Sequence, residues 1–207
     1  MPRHRRIMFA GCPFHVTHRG NHRREIFWSA EDRGFYLATL RRYATRFTMQ
    51  VWAYCLMPNH VHLLVQGEHQ QSIPLAVGNA HREYSRALNE RRKVTGHLWA
   101  NRYFSTPLDE VHRWAAVRYV ELNPLRAGMV TSPIEYPWSS AAAHAGMRMD
   151  ALLHPDRPFP GPIGRWVDWL ALGLEEELAA MLRKNTVTGK PTGSDAFLAT
   201  IGRYRQE

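Results

Sequence analysis

The spacing of apolar residues changes several times along the first part of the chain, and each change predicts an element. Phe14-His15-Val16-Thr17 alternates as a short strand does, and the turn-prone Arg19-Gly20-Asn21 ends it. From Ser29 the spacing becomes helical, and Ser29 with Asp32 three residues later resembles a capping pair. The apolar stripe of this helix consists of Tyr36, Leu40, Tyr43 and Phe47. We expect the stripe to pack in the core.

Two runs of β-forming residues follow the first helix. They extend from Met49 to Leu56 and from His60 to Val65, and the turn signal Met57-Pro58-Asn59 separates them. This arrangement predicts an antiparallel hairpin. A second helix is predicted from about Ser72 to Lys93.

One more strand and a third helix complete the pattern. The strand is predicted over Leu98 to Thr106, and Asp109 is a candidate cap for a helix that continues to about Asn123. The order strand, helix, hairpin, helix, strand and added helix predicts an α+β fold. We expect a ferredoxin-like or RRM-like sandwich, with an antiparallel sheet, helices packed on one face, and a carboxy-terminal helical extension.

The last third of the chain differs in composition. Four prolines between Leu153 and Gly164 predict a linker or an extended strap, and the spacing from Trp166 to Leu182 predicts one amphipathic helix. A turn over residues 188–193 then precedes a short last helix. We therefore divide the chain into a domain of residues 1–130 and a carboxy-terminal extension of residues 131–207, made of the Pro-rich linker and helices.

The charge of the chain favours a nucleic-acid partner. Its 207 residues include 27 Lys and Arg against 18 Asp and Glu, a formal net charge of +9. The arginines are concentrated near the amino terminus, where six of them precede the first acid, Glu25. A solvated basic arm, or an enzyme of anionic metabolites, is the alternative explanation of this charge.

Cysteine content and hydropathy restrict the cellular setting. The two cysteines, Cys12 and Cys55, exclude a disulfide framework and a four-cysteine zinc site, and they fit a reducing compartment. No uncharged run is long enough to cross a bilayer, and the basic start is not followed by an uninterrupted apolar core. We expect a cytoplasmic, nucleoid-associated protein that does not enter the membrane.

The predicted second strand of the hairpin contains two histidines one residue apart. Because alternate residues of a strand share a face, His60 and His62 project together, as half of a metal site would. Structural zinc would need two more soft ligands, and Cys12 and Cys55 are the only candidates. A catalytic divalent ion needs fewer protein ligands and keeps positions open for substrate oxygens.

The predicted third helix supplies further polar candidates. Residues His112, Ala116, Tyr119 and Asn123 recur at helical spacing, opposite Trp114. We expect the face with Tyr119 and Asn123 to lie apart from the core. The Asn123 side-chain oxygen is a ligand type for a hard cation, and Tyr119 is a candidate nucleophile toward phosphorus. The same spacing of Tyr and Asn occurs on helices by chance, so structural roles for both residues stay open.

Several longer motifs together resemble one family. They are FHVTHRGN (14–21), AYCLMPNHVHLL (53–64), GHLW (96–99), RYVELNPLRAG (118–128), YPWSS (136–140) and TGKPTGSDAF (188–197). This set resembles the single-tyrosine HUH transposases, and within them the branch associated with repetitive extragenic palindromes, the REP-associated tyrosine transposases. Asn123 stands where other single-tyrosine relatives have glutamine, and asparagine fits this branch.

The resemblance implies a site and a reaction. It implies that His60, His62 and Asn123 bind Mg²⁺ or Mn²⁺ and that Tyr119 is the nucleophile. The implied activity is metal-dependent cleavage and rejoining of single-stranded DNA at REP-like hairpins, through a 5′-phosphotyrosine intermediate and a free 3′-OH. The implied partner is single-stranded or hairpin DNA, with a monomer favoured over a dimer.

Basic residues near the amino terminus and on the second helix are the candidate DNA contacts, since arginines neutralise phosphates and fix register. They are Arg3, Arg5, Arg6, Arg19, Asn21, Arg23, Arg24, Arg82, Arg86 and Arg102. Two other functions stay open. One is a hairpin-DNA-binding protein without catalysis, and the other is a metal-dependent nuclease that uses water, with Tyr119 as a structural residue.

Overall fold

The computed structural model describes residues 8–155 and 165–203. Its centre is a four-stranded antiparallel sheet with the order β2-β3-β1-β4. The strands are β1 (Pro13–Arg19), β2 (Met49–Met57), β3 (His60–Gly67) and β4 (Phe104–Pro107). The strand order and the alternation with helices confirm the predicted ferredoxin-like sandwich. The last strand is shorter than expected. In the predicted stretch before Phe104, only Trp99 forms a β-bridge, an isolated one to Gly20.

One face of the sheet is covered by α1 (Ala30–Arg46) and α2 (Ser72–Arg92). The predicted capping pair is present at the start of α1, where the Ser29 side chain accepts from the Asp32 backbone and Asp32 accepts from the Ser29 backbone. Tyr36 and Leu40, from the predicted apolar stripe of α1, are fully buried against this face.

The other face is covered by α3 (Glu110–Glu121) and by helices of the carboxy-terminal extension. Trp52 and Leu64 from the sheet pack there with Val117 of α3 and with Leu182, in a second apolar cluster. In the described residues, the α-helices after α3 are α4 (Asn123–Arg126), α5 (Ala141–His144), α6 (Trp166–Ala171), α7 (Glu176–Thr188) and α8 (Asp195–Arg203). The expected carboxy-terminal helical extension is therefore part of the packing on this face.

The single helix that we expected from Trp166 to Leu182 is wrong. Two helices, α6 and α7, occupy this stretch, and the residues between them include Gly173 with φ +67°. This left-handed conformation is one that glycine adopts without steric cost, so it ends α6 and redirects the chain. The apolar periodicity continued across the break because both helices bury residues in the same cluster.

A buried carboxylate ties the extension to α3. Glu121 is fully buried, and its oxygens accept hydrogen bonds from Ser140, from His144 and, at 2.7 Å, from the Trp166 indole. A buried charge needs such donors to offset its lost hydration. Through this contact the extension holds the end of α3 next to Asn123. The boundary that we place at residue 130 stays a prediction.

Candidate active site

The register between β1 and β3 gathers histidines on one face of the sheet. Thr17 pairs with His62, and Arg19 pairs with His60. Residues directly opposite in antiparallel strands point to the same face, so the odd-numbered residues of β1 share the face of the histidine pair. His15 therefore joins His60 and His62. We call the side of the sheet with these three histidines the site face.

The two predicted metal ligands lie close together but differ in exposure. The ring centroids of His60 and His62 are 4.8 Å apart, and the rings are nearly perpendicular. His62 is buried, whereas His60 is half-buried. The His62 Nδ1 atom lies 3.0 Å from His15 Nε2, and His15 Nδ1 lies 2.9 Å from the hydroxyl oxygen of Thr186 in α7.

His60 has a separate partner at the hairpin turn. Its Nδ1 lies 2.6 Å from Asn59 Oδ1, while the Asn59 amide nitrogen donates to the Arg23 carbonyl at 3.2 Å. Because a carbonyl oxygen only accepts, His60 Nδ1 must carry the proton in this contact, which leaves the lone pair of the neutral ring on Nε2. His60 can therefore bind a metal through Nε2.

Burial keeps all three imidazoles neutral. Burial, and then the Arg19 guanidinium, lower the pKa of His60 from 6.5 to about 4. Burial, and then His60, lower the pKa of His15 to about 3. The pKa of His62 is lowered well below its ordinary value by burial, with smaller contributions from His60, His15 and Arg19. Neutral imidazole is the form that ligates metals, so the environment suits this role.

Tyr119 reaches this face from α3. Its ring centroid lies 5.7 Å from that of His15 and 5.8 Å from that of His62, both edge-on. Our expectation that Tyr119 faces away from the core is wrong, because it is only 5% exposed and belongs to the second apolar cluster. Sequence periodicity could not show this, since the His15 and His62 rings that contact Tyr119 come from strands distant in the chain. Within the described part of the chain, no hydrogen bond engages the Tyr119 hydroxyl.

Asn123 is placed one turn after Tyr119, at the start of α4. Its amide nitrogen donates to the Tyr119 carbonyl at 2.8 Å and, more weakly, to the Val120 carbonyl at 3.5 Å. Only the nitrogen can make these contacts, so the side-chain oxygen points away from the helix. No hydrogen bond among the described residues uses that oxygen. It is thus available as a hard ligand.

The donor set fits a catalytic divalent ion better than structural zinc. Two neutral imidazoles and one amide oxygen suit Mn²⁺, and Mg²⁺ to the extent that water or phosphate oxygens complete the shell. Within residues 8–155 and 165–203, no three His, Cys, Asp or Glu side chains are grouped as a metal site. The Cys12 thiol instead donates to the Pro13 and Leu108 carbonyls, and Cys55 is buried. Structural zinc gains no support from these contacts.

Four residues near the site were missed by sequence reasoning. His15 could have been found from the two-residue alternation of β1, which places it on the face of His62 once the strands are paired. Arg126 lies with its guanidinium carbon 5.3 Å from the Tyr119 ring centroid. Phe104 of β4 pairs with Thr17 on the site face and is 44% exposed. Thr186 gave no signal, because 171 residues separate it from His15.

The predicted DNA contacts fall into three groups. Arg19 is exposed beside His60. Asn21 and Arg23 belong to a short 3-10 helix after β1, and Arg24 and Arg102 belong to neighbouring loops. Arg82 and Arg86 are exposed on α2, on the opposite side of the sheet from Tyr119. Arg3, Arg5 and Arg6 lie outside the described residues. All ten contacts stay predictions.

The turn after β1 is shaped by close packing at Gly20. A Cβ atom there would meet the Arg24 carbonyl oxygen at 2.2 Å, which the backbone cannot accommodate. The Gly20 amide also donates to the Asn59 carbonyl at 2.8 Å. Glycine therefore lets the loop with Asn21 and Arg23 press against the hairpin turn that holds His60.

Comparison with known proteins assigns the chain to a family of transposases. The fold is similar to the structure of a REP-associated tyrosine transposase bound to a REP hairpin, with a TM-score of 0.60 and 15% identity over 78% of this chain and 96% of that one. The sequence family of IS200-like transposases matches residues 8–123, more than half of the chain. This chain belongs to the IS200-like transposase family.

A second solved structure gives a weaker match. It is a protein from Deinococcus radiodurans R1 described as a transposase, with a TM-score of 0.40 and 23% identity over 58% of this chain and 96% of that one. No curated protein sequence matches this chain. None of the helices in the described ranges is long and apolar enough to span a membrane.

Proposed function

We propose that this transposase cleaves and rejoins single-stranded DNA at REP-like hairpins, with Tyr119 as the nucleophile. The observation that carries the proposal is the approach of a helix-borne phenol to within 6 Å, ring to ring, of the buried His15 and His62 imidazoles. Unlike the buried Tyr36, which hydrogen-bonds to His81, Tyr119 has a hydroxyl that no hydrogen bond engages within the described residues. The reaction class agrees with the family.

The phenolate oxygen of Tyr119 forms a bond to the scissile phosphorus while the bond to the 3′ oxygen breaks. Tyr119 loses a proton and the leaving oxygen gains one, so a 5′-phosphotyrosine and a free 3′-OH result without a nucleotide triphosphate. Bound Mg²⁺ or Mn²⁺ would polarise the scissile phosphate. His60, His62 and Asn123 would hold it.

The DNA would enter over the open part of the site face. The solved relative of similar fold is bound to a REP hairpin. Arg19 offers a cation beside His60, and Phe104 offers an exposed aromatic ring for a base to stack on. A single strand that crosses these two residues would pass close to Tyr119. We favour a monomer, as the resemblance to the REP-associated branch implies.

A covalent adduct tests the proposal directly. The protein is incubated with Mn²⁺ and single-stranded hairpins labelled on the 3′ side of the cleavage position, and a band that survives denaturation is sought. We expect the adduct with wild type, no adduct after metal removal by EDTA, and neither adduct nor cleavage with Tyr119→Phe. Hairpin affinity should change little, because only a hydroxyl is removed.

Tyr136→Phe is the matched control. Tyr136 is another buried phenol on the site face, and its hydroxyl donates to the Leu56 carbonyl at 2.7 Å. This variant should lose some stability but keep the adduct. Cleavage by Tyr119→Phe without an adduct would favour the water-using nuclease, and hairpin binding by wild type without any cleavage would favour the silent binding protein.

A further inference from the structure

Thr186 starts a hydrogen-bonded line that ends at a proposed metal ligand. Its hydroxyl lies 2.6 Å from the Leu182 carbonyl oxygen, one turn earlier in α7. The same oxygen lies 2.9 Å from His15 Nδ1, and His15 Nε2 lies 3.0 Å from His62 Nδ1. Thr186, His15 and His62 are all buried, so no bulk water competes for these contacts.

The position of each proton in this line follows from counting donors. A hydroxyl has one proton, and the Leu182 carbonyl can only accept, so the proton of Thr186 is committed to that carbonyl. The contact with His15 then requires a proton on His15 Nδ1. A neutral ring carries one proton, so His15 Nε2 accepts, and the proton between the two imidazoles belongs to His62 Nδ1. The lone pair of His62 is left on Nε2.

We propose that Thr186 and His15 are positioning residues that fix the tautomer of His62, so that its Nε2 lone pair is available to the divalent metal. The metal part of this inference rests on the proposed function. It assigns a specific task to the carboxy-terminal extension, whose helix α7 supplies the first member of the line. Asn59 of the hairpin fixes the same tautomer in His60. The tautomers of His60 and His62 are therefore fixed by parts of the chain that are distant in sequence.

Helix α7 is held firmly enough for this task. Next to Thr186, the Asn185 carbonyl accepts from the Thr106 hydroxyl of β4 at 2.9 Å, and the Asn185 amide donates to Thr192 at 2.8 Å. Thr192 in turn exchanges backbone hydrogen bonds with the end of β4. The hydroxyl of Thr186 is therefore fixed relative to the sheet that carries both histidines.

Replacement of the hydroxyl tests the line. Thr186→Val keeps the shape of the side chain but removes the acceptor, so His15 no longer has a reason to keep its proton on Nδ1. Thr186→Ser restores the hydroxyl. Thr188→Val is the matched control, because Thr188 makes the same type of contact to the Lys184 carbonyl at 2.9 Å but is exposed.

Two measurements are made on the folded, metal-free protein. Long-range ¹H–¹⁵N correlation spectra report which ring nitrogen of His62 is protonated, with His62→Gln used to assign the signal. Calorimetric titration with Mn²⁺ in the absence of DNA reports affinity. We expect Nδ1–H in wild type, Thr186→Ser and Thr188→Val. Thr186→Val should gain an Nε2–H population and bind Mn²⁺ about 10- to 100-fold more weakly.

Protonation of His62 on Nε2 in wild type would overturn the inference, and so would Thr186→Val with unchanged tautomer and Mn²⁺ affinity. Should Thr186→Val fail to fold, His15→Phe takes its place, since it removes the acceptor of His62 Nδ1 and carries the same expectation. The spectra need neither metal nor DNA. The proposed tautomer of His62 can therefore be disproved while Tyr119 still forms an adduct, and it can be confirmed when no adduct forms.

Discussion

The two faces of the sheet each bury a pair of hydrogen-bonded imidazoles, but only one pair is suited to chemistry. On the site face, His15 and His62 are joined at 3.0 Å. On the α1–α2 face, His18 Nδ1 lies 2.8 Å from His81 Nδ1, and both rings stack on Trp99. The pairs are alike in burial and spacing.

The difference lies in where each line of hydrogen bonds ends. His81 Nε2 lies 2.9 Å from the Tyr36 hydroxyl, and His18 Nε2 lies 3.4 Å from the Asn101 carbonyl oxygen. If His18 donates to that carbonyl, His81 donates to His18 and Tyr36 donates to His81, so all four ring nitrogens are occupied. Burial also raises the pKa of Tyr36 well above 10, with a further contribution from Tyr84, and this keeps its proton in place.

The comparison shows that buried histidines alone do not define a metal site. The pair on the α1–α2 face is a closed polar network that stabilises the core. The pair on the site face ends at a ring nitrogen that no described hydrogen bond uses, next to His60 and Tyr119. Four experiments would break or sharpen this distinction.

Removal of one imidazole should affect cleavage on the site face and stability on the α1–α2 face. We expect His62→Ala to lower Mn²⁺-dependent cleavage by at least about 100-fold, since a direct ligand should matter more than the outer partners that orient it. His81→Ala should instead lower the free energy of unfolding by about 1–3 kcal/mol, because it leaves the Tyr36 hydroxyl without its acceptor. Adduct formation at saturating Mn²⁺ and urea unfolding would be measured for both variants. Equal loss of cleavage from both, with both proteins folded, would remove the distinction between the faces.

A matched pair of asparagines permits a second test. Asn123 and Asn79 both donate to the carbonyl four residues earlier, at 2.8 Å and 2.7 Å, but Asn79 belongs to α2 on the other face. We expect Asn123→Ala to raise the Mn²⁺ concentration needed for half-maximal cleavage by about 10-fold, because a metal-binding oxygen is lost. Asn79→Ala should leave it unchanged. A metal titration that is identical for wild type and Asn123→Ala would exclude Asn123 as a ligand.

The free energy of unfolding should depend on pH because of the buried imidazoles on the site face. His15 and His60 have pKa values of about 3 and about 4 in the folded protein, against 6.5 for an ordinary imidazole. Between these values the unfolded chain binds more protons, so the free energy of unfolding falls as pH falls below 6.5, by up to about 1.4 kcal/mol per pH unit for each group. His15→Gln should make this fall shallower by about one such contribution. Unfolding midpoints from pH 7 to 4.5 would be compared with those of His97→Gln, which replaces an exposed histidine. An unchanged slope in His15→Gln would contradict the assignment.

Sequence patterns were sufficient to predict the elements whose interacting residues are near each other in the chain. The capping pair of Ser29, the hairpin around Pro58 and the projection of His60 with His62 depend on local rules, and the structure confirms each of them. The break between α6 and α7 was missed because one glycine in a left-handed conformation interrupts an otherwise continuous apolar pattern.

The residues that surround the candidate site could not be predicted from the sequence, because they come from segments that are distant in the chain. The one-turn spacing of Tyr119 and Asn123 could be predicted. The burial of Tyr119 could not, because the His15 and His62 rings beside it come from strands distant in the chain. The side chain of Thr186 gave no reason to expect a polar contact with β1. Motif resemblance suggested the proposed reacting residues but not their hydrogen-bond partners, since those partners are fixed only by the tertiary fold.

The smallest expected effect concerns the open surface of the site face. Phe104 is 44% exposed on β4, and Leu75 is 41% exposed on α2 of the other face. If a single strand crosses the site face, Phe104→Ala should weaken its binding by about 1 kcal/mol, near the lower end of base–aromatic stacking, or roughly fivefold in Kd. Leu75→Ala removes a side chain of similar exposure and should leave Kd unchanged. Affinity would be measured by fluorescence anisotropy at fixed salt, with hairpins that carry or lack a single-stranded flank, because arginine contacts to the duplex would otherwise mask the difference. A loss in Phe104→Ala that persists without the flank would place Phe104 against the duplex, and an equal loss in both variants would show that DNA does not distinguish the two faces.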